Sequence, residues 1–441
     1  MSEQHPVRHV PALLVSAPAS HQGKTTVTAA LARHHAAQGR RVRVFKTGPD
    51  FLDPMLLARA AAGDHPAYQL DLWLAGADAC RHMVYQAAAD ADLILIEGVM
   101  GLHDGQPSSA DLALLLDVPV LAVIDARGMA QTFGAIAAGL ARHRSGLRFA
   151  GALANSVASP RHAEMLAQGM RGAGLPYCGG LPRSTDFVLP ERHLGLVQAA
   201  EIEDIDTRID AVAAALSTTA LAALPDTVAF SAAPSPARKP LLAGLRIGIA
   251  RDAAFSFLYP ANIDWLQAMG AQLHYFSPLT DQHLPDVDAV YLPGGYPELH
   301  LQTLQNNRAM HAALQQHIAQ GKTLYAECGG LLYLLESLTD RAGQRAAMTG
   351  LLPGHATLQS RLQGLGYQSL SLPGGTLRTH TFHHSTLTTP LTAVAHGERL
   401  HNTSAGEGLY RQGRITATYL HAYFPSAPQA AAQLFSPPSS Y

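Results

Sequence analysis

The chain has little of what would tie it to an oxidising compartment, a membrane or a nucleic acid. Only three cysteines occur in 441 residues, Cys80, Cys178 and Cys328. They stand far apart, which excludes a disulfide framework and the close pairs of a metal knuckle. A reducing cytoplasm is the expected compartment. No run reaches the roughly 18 apolar residues that a membrane helix needs, and the stretch from Val10 to Val15 is too short for a secretory leader. Charge is scarce: 15% of residues are Asp, Glu, Lys or Arg, and the net charge is −2. That argues against broad electrostatic capture of nucleic acid. The 23 histidines are scattered, and no helical His-x-x-x-His pair supports a zinc site. What the chain has in quantity is apolar residues, 47% of the total, enough for more than one core at this length.

Two α/β halves are expected, both soluble. In the first, short apolar strands alternate with Ala-rich helices. Strands are read at 12–16, 41–45, 93–96, 120–124 and 149–154, with a helix at 25–37. That alternation predicts a doubly wound, mostly parallel sheet. From about residue 221 the sequence turns to Pro, Ala and Ser, which reads as linker. The expected division is 1–220, a linker at 221–243, and 244–441. Strands at 245–250, 287–292, 322–326 and 415–420 build the second half. No internal repeat is seen.

Between the first strand and its helix lies Ser16-Ala-Pro-Ala-Ser-His-Gln-Gly23-Lys24-Thr25-Thr26. A loop ending Gly-Lys-Thr at a helix start cradles phosphate with backbone N–H groups and the helix dipole. Lys24 can span the β- and γ-phosphates, and the Thr25 hydroxyl can ligate Mg²⁺. The early glycine of such loops is absent, so the loop is a variant. Acids follow at later strand ends: Asp50 and Asp53 in Lys46-Thr-Gly-Pro-Asp-Phe-Leu-Asp-Pro, then Glu97 and Asp104 in Glu97-Gly-Val-Met-Gly-Leu-His-Asp-Gly105. Strand ends on one edge of a parallel sheet converge on the ligand crevice. These four carboxylates are therefore expected around the γ-phosphate and its Mg²⁺. The alternative is that they cap turns and helices.

In the second half, Cys328 in Ala-Glu-Cys-Gly-Gly follows an apolar strand and precedes a Leu-rich helix. This spacing predicts a nucleophile elbow. The helix start is expected to lower the thiol pKa, and the Gly329 N–H is placed to hold an oxyanion. His421 ends another strand-like run. A distant Cys and His, each at a strand end, point to acyl transfer through a thioester. A buried structural cysteine is the alternative.

Together, Gly-Lys-Thr-Thr-Val-Thr, the two long acidic motifs and Ala-Glu-Cys-Gly-Gly resemble the cobyrinic acid a,c-diamide synthase family. The resemblance runs from about Val10 to Phe424. It implies a P-loop, dethiobiotin-synthetase-like ATPase unit followed by a triad-type glutamine amidotransferase unit. It implies ATP, Mg²⁺ and glutamine acting on the a and c acetates of a corrin acid, with a homodimer left open. It further implies that Cys328 is the nucleophile and His421 its base. The turn Leu292-Pro-Gly294-Gly295-Tyr-Pro-Glu would share the oxyanion hole with Gly329, and Gly23, Lys24, Thr25 and Thr26 would bind ATP. Asn155 would read the adenine edge. Asp50, Asp53 and Asp104 would serve phosphoryl transfer, and Thr25, Asp50 and Glu97 the metal. Related glutaminases carry His-x-Glu, whereas His421-Ala422-Tyr423 lacks the acid and leaves a third member unassigned. Thr379-His-Thr-Phe-His-His-Ser385 keeps only part of a family motif near the substrate, and Ser156 stands where Arg is common. The fusion alone suggests a shielded path for ammonia. The alternatives are a sister amidotransferase acting on another tetrapyrrole, of the nickel-sirohydrochlorin type, or on another carboxylate, and a non-enzymatic nucleotide switch.

Overall fold

The computed structural model describes residues 6–187, 191–192, 195–196, 203–233, 239–401 and 404–436. The chain divides into two compact units, Met1–Ser235 and Pro236–Tyr441.

The first unit runs β1 (Val7–Ser16), α1 (Lys24–Ala37), β2 (Val42–Lys46), α2 (Leu52–Ala60), β3 (Tyr68–Gln69), α3 (Ala77–Ala87), β4 (Leu93–Glu97), α4 (Ser109–Leu116), β5 (Val120–Asp125), α5 (Thr132–Arg142), β6 (Phe149–Val157), α6 (Pro160–Ala173) and β7 (Tyr177–Pro182). Then come β8 (Glu191–Arg192), β9 (Gly195–Leu196), α7 (Ile205–Leu216) and β10 (Thr227–Ser231). Seven strands form a parallel path in the order β3-β2-β4-β1-β5-β6-β7. Leu-Ile-Leu-Ile in β4 and Val-Leu-Ala-Val-Ile in β5 are buried throughout, as expected of strands covered on both faces. Helix starts are set by local chemistry. Ser108 and Asp111 form a reciprocal capping box on α4, and Ser159 caps α6 with Pro160 next in line. Because β1 lies between β4 and β5, the loops after β1, β2, β4, β5 and β6 open on one edge.

One expectation is corrected by β10. The residues read as linker include this strand, which pairs antiparallel with the start of β1, Val7 opposite Ser231 and Pro11 opposite Thr227. Val228 and Phe230 are buried while their neighbours are exposed, so a half-buried alternation was hidden before the Pro-rich stretch. Residues 234–238 of that expected linker lie outside the described residues.

The second unit runs β11 (Arg246–Ala250), α8 (Pro260–Ala268), β12 (Gln272–Phe276), β13 (Ala289–Leu292), α9 (Leu301–Asn306), α10 (Arg308–Ala319), β14 (Thr323–Glu327) and α11 (Gly329–Leu334). It continues with β15 (Ser337–Thr339), β16 (Arg345–Ala347), β17 (His355–Leu358), β18 (Gly364–Leu372), β19 (Gly375–His383) and β20 (Ser385–Thr388). It ends with β21 (Ala395–Arg399), β22 (Ala405–Gln412), β23 (Ile415–Thr418), β24 (His421–Tyr423) and α12 (Pro428–Gln433). Strands β12-β11-β13-β14-β23 are parallel, and β22-β21-β18-β19-β24 extend the same sheet antiparallel. A smaller sheet holds β16-β15-β17-β20. The run read as one strand at 415–420 breaks after Thr418, whose hydroxyl accepts the Leu420 N–H. Residue His421 therefore begins a new strand, paired with His380 of β19. The antiparallel half curls back, so that the Ala422 N–H reaches Glu327 at the end of β14.

Candidate active sites in the two units

In the first unit the phosphate loop joins β1 to α1. Gly23 caps α1 with φ 95°, in the left-handed region. A side chain there would also strike Asn155, whose amide nitrogen would lie 2.4 Å from the new Cβ. Asn155 itself donates to the Gln22 carbonyl at 3.0 Å and accepts from the Ser156 N–H. It braces the loop. Lys24 is buried and donates to the Ala19 carbonyl. Burial and the neighbouring Lys46 hold its pKa down at about 8, against the pull of Glu97, Asp53 and Asp104. Thr25 donates to Glu97 at 2.7 Å, and Thr26 lies half-buried in the first turn of α1.

The acids divide in use. Glu97 is wholly buried at the end of β4, and burial raises its pKa despite Lys46. One of its oxygens takes Thr25 and Lys46; the other, Oε2, is buried with no hydrogen-bond partner among the described residues. Such an orphaned carboxylate oxygen beside a threonine hydroxyl suits a divalent cation. The described residues hold no group of three or more His, Cys, Asp or Glu fit for a metal. Phosphate and water would have to supply the remaining ligands. Asp53 pairs with Lys46 at 2.6 Å; burial pushes its pKa up, but Lys46, a hydrogen bond with Asp50 and Lys24 together bring it below the usual range. Asp50 accepts from the Leu52 and Asp53 N–H groups at the start of α2, and burial together with Asp53 raises it to about 7. Asp104 is exposed and accepts the Gly101 N–H, bracing the turn after β4.

Sequence reasoning missed Lys46 as a site residue. It ends β2 fully buried, 2.7 Å from Glu97 and 2.6 Å from Asp53. Burial alone would strip its proton, but the two carboxylates reverse that and raise its pKa. The available signal was a lysine closing an otherwise apolar strand.

In the second unit Cys328 joins β14 to α11 with φ 44° and ψ −106°, a strained conformation for any side chain. Its N–H donates to Thr418 at 2.8 Å. The Gly329 N–H points at the sulfur. The Gly295 nitrogen and carbonyl oxygen lie 2.9 and 3.0 Å from where a Cβ on Gly329 would sit, so the Pro-Gly-Gly turn packs directly against the start of α11. Only glycine fits at 294: a Cβ would fall 2.3 Å from His421 Cε1 and 3.4 Å from Cys328 Cβ. Imidazole and thiol thus line the same small space, both buried.

The expectation of a lowered thiol pKa is overturned. Burial, with Glu298 and Glu327 nearby, drives the Cys328 pKa up, and the single Gly329 N–H does not offset it. Burial, with His380 and His383 adding to it, holds His421 down at about 3. The resting pair is a neutral thiol beside a neutral imidazole. Cys80 and Cys178 are buried, free and away from any such partner, as structural cysteines are.

Comparison with known proteins places both units. Residues 13–197 match the CobQ/CobB/MinD/ParA nucleotide binding domain, and residues 246–429 match the CobB/CobQ-like glutamine amidotransferase domain. A protein of Stutzerimonas stutzeri named hydrogenobyrinate a,c-diamide synthase is 58% identical over 98% of this chain and 99% of its own length. The chain belongs to the cobyrinate/hydrogenobyrinate a,c-diamide synthase family. A Pseudomonas aeruginosa relative of the same name is also 58% identical, over 97% of this chain and 98% of its own length. A Herminiimonas arsenicoxydans member named cobyrinate a,c-diamide synthase is 49% identical over 96% of both chains. The family is one of glutamine-dependent amidating ligases, which sets aside a non-enzymatic switch. No helix among the described residues is long and apolar enough to cross a membrane.

Proposed function

We propose that this chain uses ATP and glutamine to amidate the a and c acetate carboxylates of a corrin acid, hydrogenobyrinate or cobyrinate. The observation that carries the reading is the presence, in one chain, of a cysteine on a strained turn lining one space with a histidine, and of a Lys-lined phosphate loop, over the length shared with relatives of that name.

In the second unit the Cys328 sulfur attacks the glutamine side-chain carbon as its proton passes to His421. The Gly295 and Gly329 N–H groups hold the oxyanion, each worth about 3 kcal/mol. The C–N bond breaks, His421 gives its proton to the departing ammonia, and water then releases glutamate from the thioester. In the first unit a corrin carboxylate oxygen attacks the ATP γ-phosphorus, and the bond to ADP breaks. Ammonia displaces phosphate from the resulting acyl phosphate. Lys24 and Lys46 offset the repulsion between the two anions. Thr25 and Glu97 would hold Mg²⁺, which supplies further charge neutralisation there. Asp50 already accepts from two backbone N–H groups, so the proposed cation site rests on Thr25 and Glu97. Asp53 fixes Lys46, Asp104 fixes the 101–104 turn, and Asn155, with both ends of its amide engaged, braces the loop.

Supplying hydrogenobyrinate and cobyrinate separately, with ATP and glutamine, tests this. Two OH-to-NH₂ exchanges per ring, read by mass spectrometry and matched by ADP release, are expected. No exchange on either acid would overturn the substrate assignment.

A further inference from the structure

The acid absent from His421-Ala422-Tyr423 has a replacement elsewhere in the second unit. Glu327 directly precedes Cys328 and is fully buried. Its carboxylate is held by three donors from three strands: Tyr291 on Oε2 at 2.8 Å, Tyr325 on Oε1 at 2.8 Å, and the Ala422 N–H on Oε1 at 3.0 Å. Those contacts fix Oε2 at 3.8 Å from Nδ1 of His421, with both side chains 2% exposed. That is longer than a hydrogen bond, but an opposite charge at this range shifts a buried titration by about 1 to 3 units.

We propose that Glu327 is the positioning residue of the Cys328–His421 pair, aiming the imidazole and holding the positive charge it gains. The inference rests on the glutaminase reading of that pair. As the C–S bond forms, the thiol proton moves to the imidazole of His421, whose Nδ1 lies 3.8 Å from Glu327. The imidazolium then lies against Oε2 until its proton leaves with ammonia. His380 and His383 from β19 act on the His421 charge, Glu327 from β14 lies 3.8 Å from its Nδ1, and Phe257 packs ring against ring at 6.2 Å. The groups facing Glu327 are Tyr291, Tyr325 and His421, with Cys328 next in the chain. Neither β19 histidine can supply a counter-charge, so Glu327 is the acid in place to do so. Burial, against the pull of its three donors, raises its pKa to about 7, which puts its ionisation within the working range.

Glutamine hydrolysis by the full chain, followed across neutral pH, tests this with Glu327→Gln, Tyr291→Phe and Cys328→Ala. The wild-type kcat is expected to rise through about pH 7 as Glu327 ionises. Glu327→Gln is expected to lower kcat about 10- to 100-fold, leave KM within about twofold and erase that limb. Tyr291→Phe removes a donor from Oε2 and should move the limb to higher pH. A limb that persists in Glu327→Gln, whatever happens to kcat, overturns the proposal, as does a wild type with no limb. If Glu327→Gln does not fold, an unmoved limb in Tyr291→Phe overturns it. Hydrolysis surviving in Cys328→Ala would sink the glutaminase reading itself, a separate result.

Discussion

The first unit assembles charges before any ligand arrives, whereas the two reacting groups of the second stay neutral until reaction. Lys46 stands between Glu97 and Asp53 with Lys24 close by, two cations and two carboxylates held in the core. Cys328 and His421 are instead both neutral at rest, each kept so by burial. The difference follows the chemistry. A triphosphate and a carboxylate are anions from the start, so fixed cations must meet them. Glutamine's amide is uncharged, and charge appears only in the tetrahedral intermediate, so donors suffice until then.

The widest separation of the two units is expected from Cys328→Ala. Glutamine-driven amidation should fall by at least about 10³-fold, while amidation fed by ammonium salt continues. Loss of both would unite what the comparison separates. Next is Lys46→Met, which strands two buried carboxylates. Urea unfolding should show the transition of the first unit destabilised by about 3 to 5 kcal/mol. Adding Glu97→Gln should recover part of that. A change below about 1 kcal/mol would mean that the carboxylates are not charged in the folded chain.

The neutral imidazole gives a smaller effect with a definite sign. His421 titrates at about 3 folded and near 6.5 unfolded. Its contribution is complete above pH 6.5 and is lost as the pH falls toward 3, by about 1.4 kcal/mol per unit. The stability gap between wild type and His421→Gln should therefore narrow on acidification from about pH 7 to 5. A constant gap would indicate an imidazole already charged at neutrality. Smallest is a proton. Lys24 sits at about 8 without ligand, and phosphate raises it, so ATP binding near pH 8 should take up a fraction of a proton. Calorimetry in buffers of different ionisation enthalpy reads this. Zero uptake would place Lys24 away from the phosphates.

The parts of this contrast that sequence disclosed are those written in consecutive residues. The Gly23-Lys24-Thr25 turn, Glu97 after Leu-Ile-Leu-Ile, and Cys328 between strand and helix each carry their geometry locally. The doubly wound first sheet was legible for the same reason, from β1, β2, β4, β5 and β6. What stayed hidden depends on distant partners. Lys46 becomes a site residue only because β2 lies beside β4. Glu327 meets His421 only because β18 to β22, unread in the sequence, carry the chain round to β24. β10 was lost because five residues, Thr227–Ser231, abut a Pro-rich stretch. The thiol pKa was misjudged because a six-residue helix start is a weak counter to complete burial.

The backbone angle at Cys328 has a consequence for endurance. A φ of 44° with ψ of −106° is one that glycine adopts freely and cysteine only under about 1 to 3 kcal/mol of strain. Cys328→Gly should consequently melt at a higher temperature than Cys328→Ala, which keeps the strain, while both are unable to draw nitrogen from glutamine. Backbone ease and amide cleavage are in competition at that single residue.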